Sequence, residues 1–544
     1  MNRIEALKAE KDGLDVLDDL VRFAREGWKT IADDDKERLK WAGVFHRRPT
    51  PGHFMMRVRM PNGIVTAAQV RLLGKITKES GRNVADVTTR QQVQLRWLGI
   101  EGVPEVIARL EAAGLTTLQT GMDNIRGIIG CPATGLTPKE LLDTAEIARE
   151  FQRIFVGNKE FTNLPRKFNV TITGCPEHCT SGETQDVSMT PAIARLEGEE
   201  VVGFNLAVGG KQGSGGPVFA TPLDAFVRPG EAAEVSAAVA LIFRDHGPRE
   251  ARSKSRLAFL IAEWGGERFR KELEVRLGRP LPSAGRDARG EATNDHIGVF
   301  RQRQPGLNYV GLKTPVGRVS GDQLLELARL AESYGQGELR FTPSQNVLIP
   351  HIPDARVGDL TQEPLLKALP YNPPEVERGL VSCTGTDFCN LALIDTKTRA
   401  MALARELLQK AGGIRPLTIR WSGCPASCGN HHTADIGLQG CKVKVNGKIV
   451  DGVHVSVGGR GGRDPRAAAR ILEDLPCDEL PEVLERLVRF FPRPARAAGG
   501  EEGARSPIQW RSISPGAGVS LSAAGRSPSG RWRGSSTPAP ASPW

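Results

Sequence analysis

An internally duplicated α+β fold follows from two sets of matched segments that recur at nearly constant offset. Pro61-Asn62-Gly63 opens a stretch that closes in Val87-Thr88-Thr89-Arg90-Gln91-Gln92-Val93. Shifted by 254 positions, Pro315-Val316-Gly317 leads to Phe341-Thr342-Pro343-Ser344-Gln345-Asn346-Val347. At an offset of 249, Thr173-Gly174-Cys175-Pro176-Glu177-His178-Cys179 falls on Ser422-Gly423-Cys424-Pro425-Ala426-Ser427-Cys428. Asp186 then falls on Asp435, and Val208-Gly209-Gly210-Lys211 on Val457-Gly458-Gly459-Arg460. Ordered self-similarity of this kind marks a duplication, and the face between pseudo-symmetric halves is a natural place for a large ligand.

The elements follow in chain order. Leu7, Leu14, Leu17, Leu20, Val21 and Ala24 stand at helical spacing, so residues 5–28 are expected to form one amphipathic helix. Each copy of the first repeat reads as strand, helix, strand, with the helices over Val70–Lys78 and Leu324–Tyr334. From Arg493 onward Pro, Gly, Ser, Ala and Arg dominate without a sustained period, which predicts a disordered tail over 493–544.

Composition narrows the function classes. The chain is 39% hydrophobic and 25% charged, with no apolar run long enough to span a bilayer. Met1 to Gly13 has no apolar core of a secretory signal, so a cytoplasmic location is expected. In that reducing compartment the nine cysteines are ligands or core thiols rather than disulfides. Half of the +10 net charge lies in the tail, so the excess is no argument for nucleic-acid binding. Gly209-Gly210-Lys211-Gln212-Gly213 lacks the order of a dinucleotide fingerprint, and no flavin module follows, so electrons must come from another protein.

Cys383 and Cys389 are followed by Cys424 and Cys428. Four thiolates in two closely spaced pairs suit a [4Fe–4S] cubane, in which each iron takes one soft anionic ligand. Structural zinc usually shows two to four residues between paired cysteines, which the five-residue gap of the first pair does not match. Buried free thiols would not explain two Gly- and Pro-flanked pairs. In the first half, Cys131, Cys175 and Cys179 match Cys383, Cys424 and Cys428, but the fourth counterpart, near Thr137, is not cysteine. These three are therefore read as relics or packing thiols rather than a second iron–sulfur site.

The C-x₅-C and C-x₃-C pairs resemble the nitrite and sulfite reductase haemoprotein family over about residues 14–492, and Lys40-Trp41-Ala42-Gly43-Val44-Phe45 resembles its ferredoxin-dependent nitrite reductases. The resemblance implies an α+β fold with two ferredoxin-like segments and two larger α/β lobes around a sirohaem–[4Fe–4S] centre. It divides the chain into an N-terminal helical extension (1–50), a first ferredoxin-like segment (51–118) and a first sirohaem-binding lobe (119–290). A second ferredoxin-like segment (291–370), a [4Fe–4S]/sirohaem lobe (371–492) and the tail (493–544) follow. It also implies that Cys383, Cys389, Cys424 and Cys428 hold one cluster, with Cys428 bridging to the sirohaem iron.

Three basic motifs fit an anionic substrate and a cofactor rich in carboxylates. Thr88-Thr89-Arg90-Gln91 looks like the family's T-x-R-Q segment and implies that Arg90 faces substrate. Asp123-Asn124-Ile125-Arg126 is similar to its M-D-N-x-R segment and supplies Arg126. Leu164-Pro165-Arg166-Lys167-Phe168-Asn169 resembles its L-P-R-K segment, with Lys167 as direct proton donor. Family members that reduce sulfite typically carry a second lysine where this chain has Asn169; nitrite carries one charge and sulfite up to two, so Asn169 favours nitrite. Lys211 and Arg460, at matched ends of the Val-Gly-Gly repeats, are candidate sirohaem carboxylate contacts, as are Arg57 and Arg59; His431 and His432 are candidate proton relays.

The expected activity is six-electron reduction of nitrite to ammonium by a monomer, with reduced ferredoxin as donor and no nucleic-acid or membrane partner. Sulfite reduction to sulfide is the alternative within enzymes. A cobalamin-pathway relative, precorrin-3B synthase, would not need Arg90, Arg126 and Lys167 on a duplicated chain. A noncatalytic iron–sulfur carrier or sensor would leave the first-half basic motifs without a role, and metal analysis would distinguish a zinc-stabilised nucleic-acid binder.

Overall fold

The computed structural model describes residues 2–411, 414 and 416–490; the expected tail over 493–544 lies outside the described residues. Two five-stranded sheets carry the first repeat. One runs in the order Val44–His46, His53–Val58, Val93–Gly99, Ala85–Val87, Arg318–Val319. The other runs Gly298–Arg301, Leu307–Leu312, Val347–Pro353, Glu338–Phe341, Ile64–Thr66. The last strand of each is contributed by the opposite copy: Arg318 pairs with Asp86, and Thr66 with Glu338. This reciprocal exchange makes the two ferredoxin-like units one body with one hydrophobic core, running from Val58 and Val93 to Leu324 and Val347.

The helices of the two copies begin alike. Thr66 with Gln69, and Ser320 with Gln323, form capping boxes in which side chain and backbone satisfy each other's free groups. Val70, Leu73 and Ile76 then turn one face of the Ala67–Glu79 helix inward, each contributing about 1.5–3 kcal/mol of burial at most. That helix lies against Gly321–Tyr334, and the approach is close: a Cβ on Gly321 would come within 2.6 Å of the Gly74 carbonyl oxygen.

The second repeat builds two further sheets of matching topology. Ile125–Ile129, Phe168–Ile172, Val187–Leu196, Glu199–Val208 and Thr221–Val227 pair parallel, parallel, antiparallel and antiparallel. Leu380–Ser382, Ile419–Ser422, Ile436–Val445, Lys448–Val457 and Ala469–Pro476 repeat that pattern. The shared detail extends to single bonds. The Asn169 amide donates to Asp186 and the Thr418 amide to Asp435, at 2.8 and 2.7 Å.

The expected single helix over 5–28 is three short pieces, Arg3–Glu10, a 3₁₀ turn over Gly13–Asp19, and Leu20–Glu26. Asp12 caps the middle piece through the Leu14 amide. Gly13 lies on the Trp41 ring so closely that a Cβ would sit 2.2 Å from it. The apolar spacing was real, but packing onto the buried Trp41 breaks the rod, and Val21 is left 71% exposed. All nine cysteines are free thiols. Among the described residues no helix is long and apolar enough to cross a membrane.

Candidate active site

Cys383 follows the Leu380–Ser382 strand directly, and Cys424 stands two residues beyond Ile419–Ser422. Because these strands are parallel neighbours, their carboxyl ends deliver both cysteine pairs to one place. All four thiols line one cleft. The Gly423 amide points at the Cys383 sulfur at 3.1 Å, and the Ala426 amide at the Cys424 sulfur within a Cys-Pro-Ala turn. Burial pushes the Cys383 thiol up to about 11 and Cys424 to about 12, with the Cys428 charge adding to both; only a bound metal makes thiolates favourable here.

The spacing of these sulfurs separates a cluster from a single ion. Zinc holds sulfurs at ~2.3 Å, so its ligand atoms stand within about 4 Å of one another. Among the described residues, no three of these four sulfurs are grouped within 4.8 Å of one another, so they are not drawn together around one small ion.

Arg47, Arg57, Arg90 and Arg96 line the same cleft. Burial holds the Arg57 guanidinium down to about 9 and Arg47 to about 10. Arg90 and Arg126 are likewise lowered by burial, Arg126 further by Arg57 and Arg90. Lys167 is pushed well below the usual lysine range by burial, then by Arg256 and Arg90. So dense a group of buried cations calls for anions. The Arg47 Nε and Arg126 Nε donors are buried without a hydrogen-bond partner. A carboxylate-rich tetrapyrrole such as sirohaem, together with an anionic substrate, fits this donor set.

Of the residues singled out in the sequence, Arg90 and Lys167 stand near Cys428, and Arg126 stands near Arg90 and Lys167. Arg126 is aimed by bonds to the Thr120 and Met122 carbonyls, at 2.8 and 2.6 Å. Asn169 is buried two positions beyond Lys167, at the start of the Phe168–Ile172 strand. Lys211 stands near Arg256 and donates to the Gly216 carbonyl at 3.2 Å. Arg460 is engaged with Asp464 in its own hairpin. Arg59 donates to the carbonyls of Leu118, Gln119, Ile125 and Arg126, holding the Arg126 strand in place. Burial holds His431 down to about 3 and His432 to about 4, so both imidazoles are neutral near pH 7.

Three features escaped the sequence reading. Arg256, buried and bonded to Asp186 at 2.6 Å, stands beside Lys167; nothing local distinguishes it from a surface arginine. Asp86 anchors Arg96, Arg318 and Lys397 at 2.7, 3.1 and 3.2 Å, and Asp86, Arg96 and Lys397 line the cleft with Cys383 and Cys389. Gln91 and Gln345, at equivalent places and both with positive φ, clasp the two halves. Gln91 bonds the Phe341 carbonyl and receives the Gly130 amide. Gln345 bonds the Val87 carbonyl and receives the Ser382 amide, next to Cys383.

Fold and site together define a duplicated α+β protein in which four thiols line one cleft with several arginines and a lysine, as an oxidoreductase acting on an anion would. Models of two protein families match the chain: the nitrite and sulphite reductase 4Fe-4S domain, over residues 121–281 and 376–504, and the nitrite/sulfite reductase ferredoxin-like half domain, over 46–113 and 300–366. The chain belongs to the nitrite and sulfite reductase family. It is 44% identical over 495 residues to the ferredoxin–nitrite reductase of Synechococcus elongatus, covering 90% of this chain and 96% of that protein. It is 41% identical to the chloroplastic ferredoxin–nitrite reductase of Zea mays, with 90% of each covered. The NirA protein of Mycobacterium tuberculosis superposes with a TM-score of 0.85 at 35% identity, covering 90% of this chain and 93% of that one.

Proposed function

We infer that this enzyme reduces nitrite to ammonium with electrons from reduced ferredoxin, as a cytoplasmic monomer. The observation that carries the reading is the placing of Arg90 and Lys167 near Cys428, with Arg126 near both of these cations. Cys383, Cys389, Cys424 and Cys428 would hold the [4Fe–4S] cluster. Cys428, exposed where Cys424 is buried, would be shared with the sirohaem iron, and Arg47, Arg57 and Lys211 would meet sirohaem carboxylates. Arg460, whose partner Asp464 is an exposed side chain that can exchange, would join them. Together these cofactors supply electrons one at a time and an iron that binds the substrate.

The overall change takes one nitrite, six electrons and eight protons to one ammonium and two waters. Each N–O cleavage leaves negative charge on a departing oxygen, which Arg90 and Arg126 stabilise from fixed positions. Arginine does not give up its proton in practice, whereas Lys167, with its affinity for the proton already lowered by burial, can donate and be recharged. Asn169 offers an amide where a second lysine would suit a doubly charged anion.

The test is ammonium and sulfide production by one viologen-reduced preparation offered nitrite or sulfite at matched concentrations. A nitrite kcat/KM about 100-fold higher, about 2.7 kcal/mol of transition-state preference, is expected. A preference for sulfite would reverse the substrate and leave the fold and cofactors standing.

A further inference from the structure

The three first-half cysteines are not scattered packing thiols. Cys131 lies within hydrogen-bonding reach of both Cys175 and Cys179. His296, 117 positions beyond Cys179 in the chain, brings its Nε2 to 3.8 Å from the Cys131 sulfur. The ligand atoms of Cys131, Cys179 and His296 all fall within 4.8 Å of one another; Cys175 stands outside that triad but within hydrogen-bonding reach of Cys131, and its sulfur would close onto the ion as the fourth ligand. Zinc–sulfur bonds of ~2.3 Å and zinc–nitrogen bonds of ~2.0 Å put tetrahedral ligand atoms about 3.5–3.8 Å apart, so this spacing suits one ion and is too tight for a cubane.

We propose that Cys131, Cys175, Cys179 and His296 form a structural zinc site at the pseudo-symmetric counterpart of the cluster. The Ala133 amide points at the Cys131 sulfur and the Glu177 amide at Cys175, each in a Cys-Pro-X turn. The Ala426 amide at Cys424 does the same in the cluster lobe. Amides directed at sulfur stabilise thiolate, which a packing thiol does not need.

The histidine is oriented as a ligand. Its Nδ1 lies 3.0 Å from Tyr309 Oη; a proton on Nδ1 shared with that oxygen leaves the Nε2 lone pair facing the thiols. His296 has φ of 57°, a left-handed backbone that non-glycine residues adopt at a cost. Its segment is stitched to the cysteine loop: Asn294 Nδ2 donates to Glu177 and the His178 amide to the Ala292 carbonyl, at 2.8 and 2.9 Å. Cys131, Cys175 and His296 are each at most 1% exposed and Cys179 is half-buried, so three of the four ligands are shut off from solvent, as ligands of structural zinc are.

Binding expels three thiol protons and leaves a zinc carrying three thiolates and one neutral imidazole. With histidine in place of the fourth cysteine, the repeat that holds a redox cluster in one lobe becomes a clamp in the other. It ties the first lobe to the segment leading into the second ferredoxin-like sheet.

Elemental analysis and zinc-edge X-ray absorption of the full-length holoenzyme test this. One zinc per chain in a shell of three sulfurs and one nitrogen is expected. His296→Ala and Cys179→Ser should lose that zinc at an unchanged ratio of iron to sirohaem. Should the variants not fold, cobalt exchange into the wild-type enzyme should give thiolate charge-transfer bands and a tetrahedral d–d spectrum. Absence of both zinc and the cobalt spectrum overturns the proposal. So does a disulfide between two of the three cysteines, or acid-labile sulfide in excess of one cluster.

Discussion

Replacing Lys167 with Met separates what this cation does for the reaction from what it does for the fold. The two side chains are similar in length, so the change removes charge and little volume. In the cofactor-free protein, burial and the neighbouring Arg256 and Arg90 disfavour the protonated amine. A folded-state pKa below the ordinary ~10.4 of lysine means that the unfolded chain binds the proton more tightly. The penalty is then complete below the folded value and fades as pH rises toward the unfolded one. The Met variant without cofactor should therefore melt no lower than wild type near pH 7, and any gain should shrink at alkaline pH. The loss should appear in catalysis. A hydrogen bond to a charged group is worth about 1.5–3 kcal/mol, so kcat/KM for nitrite should fall about 10- to 150-fold. Differential scanning calorimetry across pH and steady-state ammonium formation provide the two readouts. A midpoint lowered by several degrees at pH 7, or a kcat/KM within threefold of wild type, would refute the reasoning.

Cys428→Ser should abolish nitrite reduction and the electronic coupling between cluster and sirohaem seen in electron paramagnetic resonance; retained full activity would remove the bridging assignment. Asn169→Lys should shift the ratio of kcat/KM values toward sulfite, measured in the paired assay above, and an unchanged ratio would take away the main reason for choosing nitrite. Asp86→Asn leaves Arg96, Arg318 and Lys397 buried around a neutral amide and should cost about 3–5 kcal/mol, read as a lower thermal midpoint. Against the cost of burial, Lys397, Arg96 and Arg318 hold this carboxyl well below the usual range. Its contribution is thus present above ~pH 4 and lost as pH falls further, an acid sensitivity the Asn variant should lack.

What could be read from the sequence was local or periodic. The helices read over Val70–Lys78 and Leu324–Tyr334 repeat their apolar positions within a turn or two and fall inside Ala67–Glu79 and Gly321–Tyr334, and the cysteine pairs lie within single loops after strands. The duplication is legible because two copies keep the same order of turns, down to Asp186 and Asp435. Even the break of the opening helix was partly encoded, in Asp12-Gly13, but apolar spacing alone could not reveal that Trp41 would occupy the space beside that glycine. The reciprocal exchange of Ile64–Thr66 and Arg318–Val319 between sheets, the Gln91 and Gln345 clasps, Arg256 beside Lys167 and His296 beside Cys131 were decided only by tertiary structure. Their partners lie from tens to more than two hundred positions apart. A buried arginine or histidine is written with the same letter as an exposed one, and only the folded chain's geometry determines which charges and lone pairs meet.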